Sequence, residues 1–170
     1  RWHVDSQKQG MFLKTDTVIF LKPMTFMNRS GFAIADFVSY YRVDKEDLWV
    51  VHDDIDLPLG TVKISRNEGS AGHHGVASII ECLKNRDFVR FRLGIGRRAG
   101  EDVSVQTTVI SHVLSHFDAS EQADVDMLKR RARDGILYAL DRGVNSAMNV
   151  YNARPVQKEG VLKKTHDAKN

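Results

Sequence analysis

The order of apolar and polar positions along the chain predicts four strands. Residues 17–21 (TVIFL) and 48–51 (LWVV) are apolar or β-branched almost without interruption, which is typical of buried strands. Residues 61–65 (TVKIS) and 88–95 (FVRFRLGI) alternate apolar with polar or basic positions, as strands with one solvated face do. Pro23 is expected to end the first of these strands, because proline cannot donate a ladder hydrogen bond.

Helical spacing follows the strands. Apolar residues recur at i, i+3, i+4 and i+7 over 34–41 and again over 76–83, so each segment presents one apolar face. Further helices are predicted over 107–115, over a long stretch between a capping box that begins at Asp118 and a stop at Gly143, and over 144–152.

Strands that alternate with helices predict an α/β fold. We expect a single domain over residues 1–153, with a mixed, mostly parallel twisted sheet flanked by helices. Residues 154–170 are polar and lysine-rich, and we interpret them as a flexible tail.

Composition adds limits rather than a function. The 170 residues are 42% hydrophobic and 28% charged, with a net charge of +3, which permits an anionic partner without establishing one. The single cysteine excludes an intrachain disulfide and favours a reducing, cytoplasmic location. The sequence contains no membrane-spanning apolar run and no recognisable signal peptide. It begins with Arg1 rather than methionine, which suggests a processed or incomplete chain.

Three polar clusters follow apolar elements, where ligand sites of open α/β sheets gather. They are Asn28, the run His52-Asp53-Asp54-Ile55-Asp56, and the run Gly72-His73-His74-Gly75. Each cluster has a plainer interpretation. The amide suits a turn or a helix cap, the acidic run suits a solvated turn, and the glycine-flanked histidines suit a loose helix entry with surface side chains.

Asp53 differs from its acidic neighbours because it comes straight off a buried strand. A carboxylate in that position can orient and charge-stabilise an imidazole. Lys63 and Arg92 lie on the predicted strands before and after the glycine-rich loop, residues 66–75 (RNEGSAGHHG). They form either a two-cation clamp for a phosphate or a solvated strand face. We expect no metal and no cofactor, because His73 and His74 are adjacent and cannot easily face one ion.

Five segments together resemble one family. They occur in a consistent order: KPMTFMNRSG, VVHDDIDLPLG, GSAGHHGVASII, FRLGIGR and AMNVYN. In this order and at these distances they closely resemble bacterial-type peptidyl-tRNA hydrolase, over residues 2–153. The resemblance implies a metal-free, usually monomeric enzyme without membrane association. Such an enzyme cleaves the ester between peptide and tRNA ribose in peptidyl-tRNA released from ribosomes.

The resemblance also implies roles for individual residues. Asn28 is expected to line the catalytic crevice and hold substrate or the attacking water, with Phe26 and Met27 beside it. Asp53 corresponds to the carboxylate that keeps the catalytic histidine basic, and His73 to a loop histidine that contacts substrate.

Lys63 and Arg92 correspond to basic positions that grip the terminal phosphate of tRNA.

The sequence departs from the family's pattern at two places. His74 stands where the family usually has asparagine, which changes the hydrogen bonds available to substrate there. The family's opening G-L-G-N-P-G and R-H-N segments, which supply the general-base histidine, do not occur in the 170 residues. We therefore expect an N-terminally incomplete hydrolase of low activity. The alternative is a catalytically impaired relative that binds tRNA or another RNA.

Overall fold

The computed structural model describes residues 1–97, 113 and 115–153. The first three strands form an antiparallel sheet. These strands are β1 (His3–Asp5), β2 (Gly10–Lys14) and β3 (Ile19–Pro23). Only β3 was predicted, as residues 17–21. It begins two residues later and includes Pro23 at its end, opposite Gly10. Proline is tolerated there because β3 has a strand partner on one side only among the described residues.

The second sheet carries the predicted polar cluster on β4. Its strands are β4 (Trp49–Asp54), β5 (Val62–Arg66) and β6 (Val89–Gly94). β6 lies in the middle, parallel to β4 and antiparallel to β5. The three predicted strands are confirmed, but β4 runs on through Asp54, because residues 52–54 pair with residues 92–94 of β6.

The α/β fold and the mixed sheet are confirmed, whereas the expectation of a mostly parallel sheet needs correction. The described strands form two three-stranded sheets, and only the β4–β6 pairing is parallel. Connections 6–9 and 15–18 contain only four residues each, and a parallel crossover needs about a dozen or more. Hairpins therefore join β1 to β2 and β2 to β3.

The helices match the predicted periodicities with small differences at their ends. They are α1 (Ser30–Tyr41), α2 (His74–Leu83), α3 (Gln122–Arg142) and α4 (Val144–Tyr151), with short 3-10 turns at Met27–Arg29 and Lys45–Asp47. The expected helix at 107–115 lies mostly outside the described residues, and the tail at 154–170 lies outside them entirely. Within the described ranges, no helix has the length and apolar content that crossing a membrane requires.

Two helix layers cover opposite faces of the second sheet. On one side, Ile34 of α1 packs with Val76 and Ile79 of α2 and with Phe88. On the other side, strand residues pack against α3 and α4; the buried members of that cluster are Ile64, Val89, Phe91, Ala139 and Ala147. The first layer brings the start of α2 to the end of β4, where the candidate site lies.

Candidate active site at the end of strand β4

Asp53 and His73 form a hydrogen-bonded pair at the end of β4. His73 Nε2 lies 3.2 Å from Asp53 Oδ1. His73 is also the residue that caps α2, because its Nδ1 accepts the backbone N–H of Val76 at 3.1 Å. Since Nδ1 accepts, the ring proton belongs on Nε2, directed at the carboxylate. Both nitrogens of this imidazole are therefore engaged, and its orientation is fixed.

The carboxyl group of Asp53 is held in its ionised form. The hydrogen bond from His73 is the main cause that lowers the pKa of Asp53 below its ordinary value, and it outweighs the opposite effect of partial burial. Asp53 therefore carries a negative charge at neutral pH and stabilises positive charge on an adjacent imidazole. A carboxylate–imidazole pair of the kind expected from the position of Asp53 is present, but its partner is His73, which was expected to contact substrate instead.

The ring of His52 packs against the imidazole of this pair. Its ring meets that of His73 edge to face, with the centroids 4.7 Å apart. Its Nδ1 lies 2.7 Å from the carbonyl oxygen of Asp53 and donates to it, which leaves Nε2 as the unprotonated nitrogen. That Nε2 is buried and has no hydrogen-bond partner among the described residues. Burial, and then the neighbouring His73, lower the pKa of His52 to about 4, so the ring is neutral at physiological pH.

The buried His52 predicts a loss of stability in acid. The pKa of His52 is about 4 in the folded chain and about 6.5 in the unfolded chain, so the unfolded state binds more protons between these limits. Its contribution is complete above pH 6.5 and is lost as the pH falls toward 4, by about 3 kcal/mol in the free energy of unfolding. His52→Asn keeps a donor near Nδ1 but does not titrate, and it should remove this dependence.

Urea unfolding at a series of pH values between about 4 and 7 measures the difference. His3→Asn, at an exposed position, is the matched control for replacing a histidine by asparagine. Parallel curves for the wild-type chain and His52→Asn would contradict this assignment.

The segment before α1 lies against the start of α2. A Cβ atom added to Gly75 would lie only 2.6 Å from Sδ of Met27, so the methionine packs directly on the glycine beside the His73 cap. Asn28 follows Met27 in the 3-10 turn and is exposed. Phe26 precedes it with 81% of its surface exposed. The turn that carries the exposed Asn28 therefore lies against the start of α2, which His73 caps and His74 begins.

A second cluster of charged side chains lies between strand β6 and the glycine-rich loop. Arg92 donates from Nε to Asp54 at 2.6 Å and from Nη1 to Glu68 Oε2 at 2.9 Å. Arg90 donates from Nη2 to the same Glu68 oxygen at 3.0 Å and from Nη1 to the carbonyl of Gly69 at 2.8 Å. The cluster thus ties the loop to strand β6.

The cluster changes the interpretation of the predicted cations and of the acidic run. Lys63 and Arg92 are opposite partners on β5 and β6, so both lie on one face of the sheet, as a clamp requires. Arg92, however, is only 12% exposed and is already paired with two carboxylates. The interpretation of Asp54 as a solvated turn residue is wrong, because it is buried against Arg92, whereas Asp56 is exposed and pairs with Arg97.

Comparison with known proteins decides the family. The model of the peptidyl-tRNA hydrolase family matches residues 2–159. The chain belongs to the peptidyl-tRNA hydrolase family. The resemblance drawn from the five sequence segments is thereby confirmed. No group of three or more His, Cys, Asp or Glu side chains suited to a metal ion occurs among residues 1–97, 113 and 115–153.

Relatives and solved structures agree with this assignment. The chain is 34% identical over 151 residues to a peptidyl-tRNA hydrolase of Akkermansia muciniphila, covering 89% of this chain and 77% of the relative. It is 39% identical over 142 residues to that of Thermodesulfovibrio yellowstonii, covering 82% and 73%. The crystal structure of peptidyl-tRNA hydrolase from Acinetobacter baumannii matches with a TM-score of 0.78 at 27% identity, covering 90% of this chain and 77% of that one.

Three residues with clear structural roles were not among the predicted site residues. His52 was named only as the first residue of the polar run at 52–56, and Glu68 and Arg90 were not singled out. The alternation over 88–95 placed Arg90 on a polar strand face, yet its side chain is only 1% exposed. The one sequence signal that Arg90 could be buried was Glu68, a possible ion-pair partner in a loop of mostly small residues. Spacing along the sequence does not show that Arg90 and Glu68 meet.

Proposed function

We propose that this member of the peptidyl-tRNA hydrolase family hydrolyses the ester that joins a peptide to the ribose of tRNA. The family implies peptidyl-tRNA as the substrate. The observation that supports this reaction most is the ionised Asp53 bonded to a fixed imidazole at the start of α2, against which the turn with the exposed Asn28 packs. The chain works as a cytoplasmic monomer, with the reaction carried by the domain of residues 1–153 and with residues 154–170 as a tail.

The reaction needs a base, a polarised carbonyl and a held substrate. In the proposed mechanism a histidine oriented by Asp53 takes a proton from water, and the water oxygen attacks the ester carbonyl carbon. The bond to the ribose oxygen then breaks, and that oxygen takes up a proton. The Asn28 amide and the imidazole of His74 hydrogen-bond the substrate, His73 contacts it through its ring, and Phe26 and Met27 form an apolar wall beside it.

The bond from Val76 limits His73 as the water-activating base. Its Nδ1 lone pair is taken by that backbone N–H, so accepting a proton requires breaking the cap of α2. His52 is unsuitable, because its free Nε2 is buried and weakly basic. In this mechanism His73, the imidazole that Asp53 contacts, therefore accepts the proton only when its bond to Val76 opens.

The engagement of both His73 nitrogens also favours a second candidate function. A chain with the substrate surface but without an available base binds peptidyl-tRNA and does not turn it over. Binding and cleavage must therefore be measured on the same samples. Tight, salt-sensitive binding with cleavage no faster than in buffer would select this second function.

Lys63 provides a test of the substrate surface that is independent of the chemistry. We expect Lys63→Gln to weaken tRNA binding and to reduce the slope of log Kd against log salt concentration by about 1, because one phosphate contact is lost. Fluorescence anisotropy of labelled tRNA over a range of salt concentrations measures the slope. Lys45→Gln removes the same charge from the exposed turn before β4 and should leave the slope unchanged. Equal slopes for the wild-type chain and Lys63→Gln would overturn the phosphate role.

A further inference from the structure

One oxygen of Glu68 holds two guanidinium groups together. Oε2 lies 3.0 Å from Nη2 of Arg90 and 2.9 Å from Nη1 of Arg92. Lys63, opposite Arg92 on the neighbouring strand, adds a third cation on the same face. An oxygen between two guanidinium groups and near an ammonium is the arrangement in which proteins bind phosphate oxygens. Here a carboxylate of the chain itself fills it.

The buried arginine retains a donor that Glu68 does not use. Nε of Arg90 has no hydrogen-bond partner among the described residues, although the side chain is only 1% exposed. Nε and Nη2 share one edge of a guanidinium group, and a ligand with two oxygens can accept from both at once. Glu68 contacts only Nη2 of that edge, so its fit to the position is incomplete.

Glu68 is also the member of the cluster that is freest to leave. Its side chain is 39% exposed, against 1% for Arg90 and 12% for Arg92. Each arginine keeps another partner when Glu68 moves, since Arg90 also donates to the carbonyl of Gly69 and Arg92 to Asp54. Asn67, the residue before Glu68, has a left-handed backbone (φ 56°), as expected in a loop that turns sharply.

We propose that Glu68 occupies the phosphate position formed by Arg90, Arg92 and Lys63, and that a phosphate of the tRNA displaces it. This inference rests on the proposed function, because it takes tRNA as the ligand. Glu68 then competes with substrate phosphate and lowers the affinity for polyanions that cannot fill the position. The displaced carboxylate moves into solvent, to which 39% of the Glu68 side chain is already exposed.

Glu68→Gln tests the competition directly. The amide keeps the shape and an acceptor for Arg90 but removes the negative charge. We expect deacylated tRNA to bind about 10-fold tighter to this variant at low salt, a difference that salt screens. In a direct titration without tRNA, inorganic phosphate should also bind to the variant at a lower concentration than to the wild-type chain. Glu81→Gln, on the exposed side of α2, changes the net charge equally and is the matched control.

The outcomes separate this inference from the function on which it rests. Tighter binding by Glu68→Gln than by Glu81→Gln supports the displacement. Equal binding by the two variants, with weaker binding by Lys63→Gln, overturns the displacement and leaves the phosphate site in place. Unchanged binding by Lys63→Gln and Glu68→Gln alike overturns the phosphate site itself. Weaker binding by Glu68→Gln shows that Glu68 only holds the loop, and it too overturns the displacement.

A second variant covers a failure of Glu68→Gln to fold. Glu68→Asp keeps the charge but shortens the side chain by one methylene, which withdraws the carboxylate from Arg90 and Arg92. We expect tRNA to bind to it several-fold tighter than to the wild-type chain. Wild-type affinity in Glu68→Asp would count against the displacement in the same way.

Discussion

Asp53→Asn is expected to slow the cleavage of peptidyl-tRNA by at least about 10²-fold while leaving tRNA affinity within a factor of about two. The amide keeps the shape of the side chain and an oxygen that can still accept from His73 Nε2. It removes the negative charge that stabilises positive charge on an adjacent imidazole. The loss should therefore fall on kcat rather than on KM, because the charge acts mainly in the transition state.

Asp47→Asn is the control for this substitution. Asp47 lies exposed in the turn before β4, and its removal changes the net charge by the same amount. Single-turnover rates for the three proteins, with the protein in excess over peptidyl-tRNA, separate the chemical step from binding. An Asp53→Asn rate equal to that of Asp47→Asn would show that the carboxylate takes no part in the reaction.

Gly31→Ala is expected to destabilise the folded chain by about 3 kcal/mol or more. A Cβ atom at Gly31 would lie 2.1 Å from the carbonyl oxygen of Ser78 and 2.9 Å from Sγ of Cys82. The first contact is with backbone, so no side-chain rotation relieves it, and α1 must move away from α2. Helix propensity favours alanine by only about 1 kcal/mol, which is too little to compensate. Movement of α1 would also break the bond from Gly31 N–H to Ser78 Oγ.

Gly69→Ala separates this clash from a general effect of replacing glycine. A Cβ atom there meets nothing within 4 Å. We expect a change of less than about 0.5 kcal/mol at that position. Thermal and urea unfolding of both variants give the comparison. A Gly31→Ala protein as stable as Gly69→Ala would mean that α1 and α2 do not approach as closely as described.

Much of the fold was predictable because local pattern and tertiary structure agree. The apolar periodicities of α1 and α2 reflect a buried face on each helix, and the alternation at 88–95 corresponds to β6. β2 was missed because its signal lies in packing rather than in pattern. Gly10 is tightly enclosed there, and a Cβ atom would lie 2.7 Å from Leu21 and 2.8 Å from Phe37.

The site was predictable in its parts but not in its connections. Position at the end of a strand was enough to single out Asp53. The glycine-rich run offered His73 and His74 alike, and only the resemblance gave each of them its own role. The partner of Arg92 was not predictable, because Glu68 and Asp54 are 24 and 38 residues away in sequence. The tautomer of His73 depends on the backbone N–H of Val76, and side-chain spacing carries no information about that bond.

Cleavage of peptidyl-tRNA by the 170-residue chain under single-turnover conditions shows whether the end of β4 is a hydrolytic site. The tRNA carries an N-blocked aminoacyl group, and a matched tRNA with an amide in place of the ester serves as the uncleavable control. We predict ester cleavage faster than in buffer, and slower in Asp53→Asn by at least about 10²-fold. Cleavage no faster than in buffer, or unaffected by Asp53→Asn, would contradict a hydrolytic site at the end of β4.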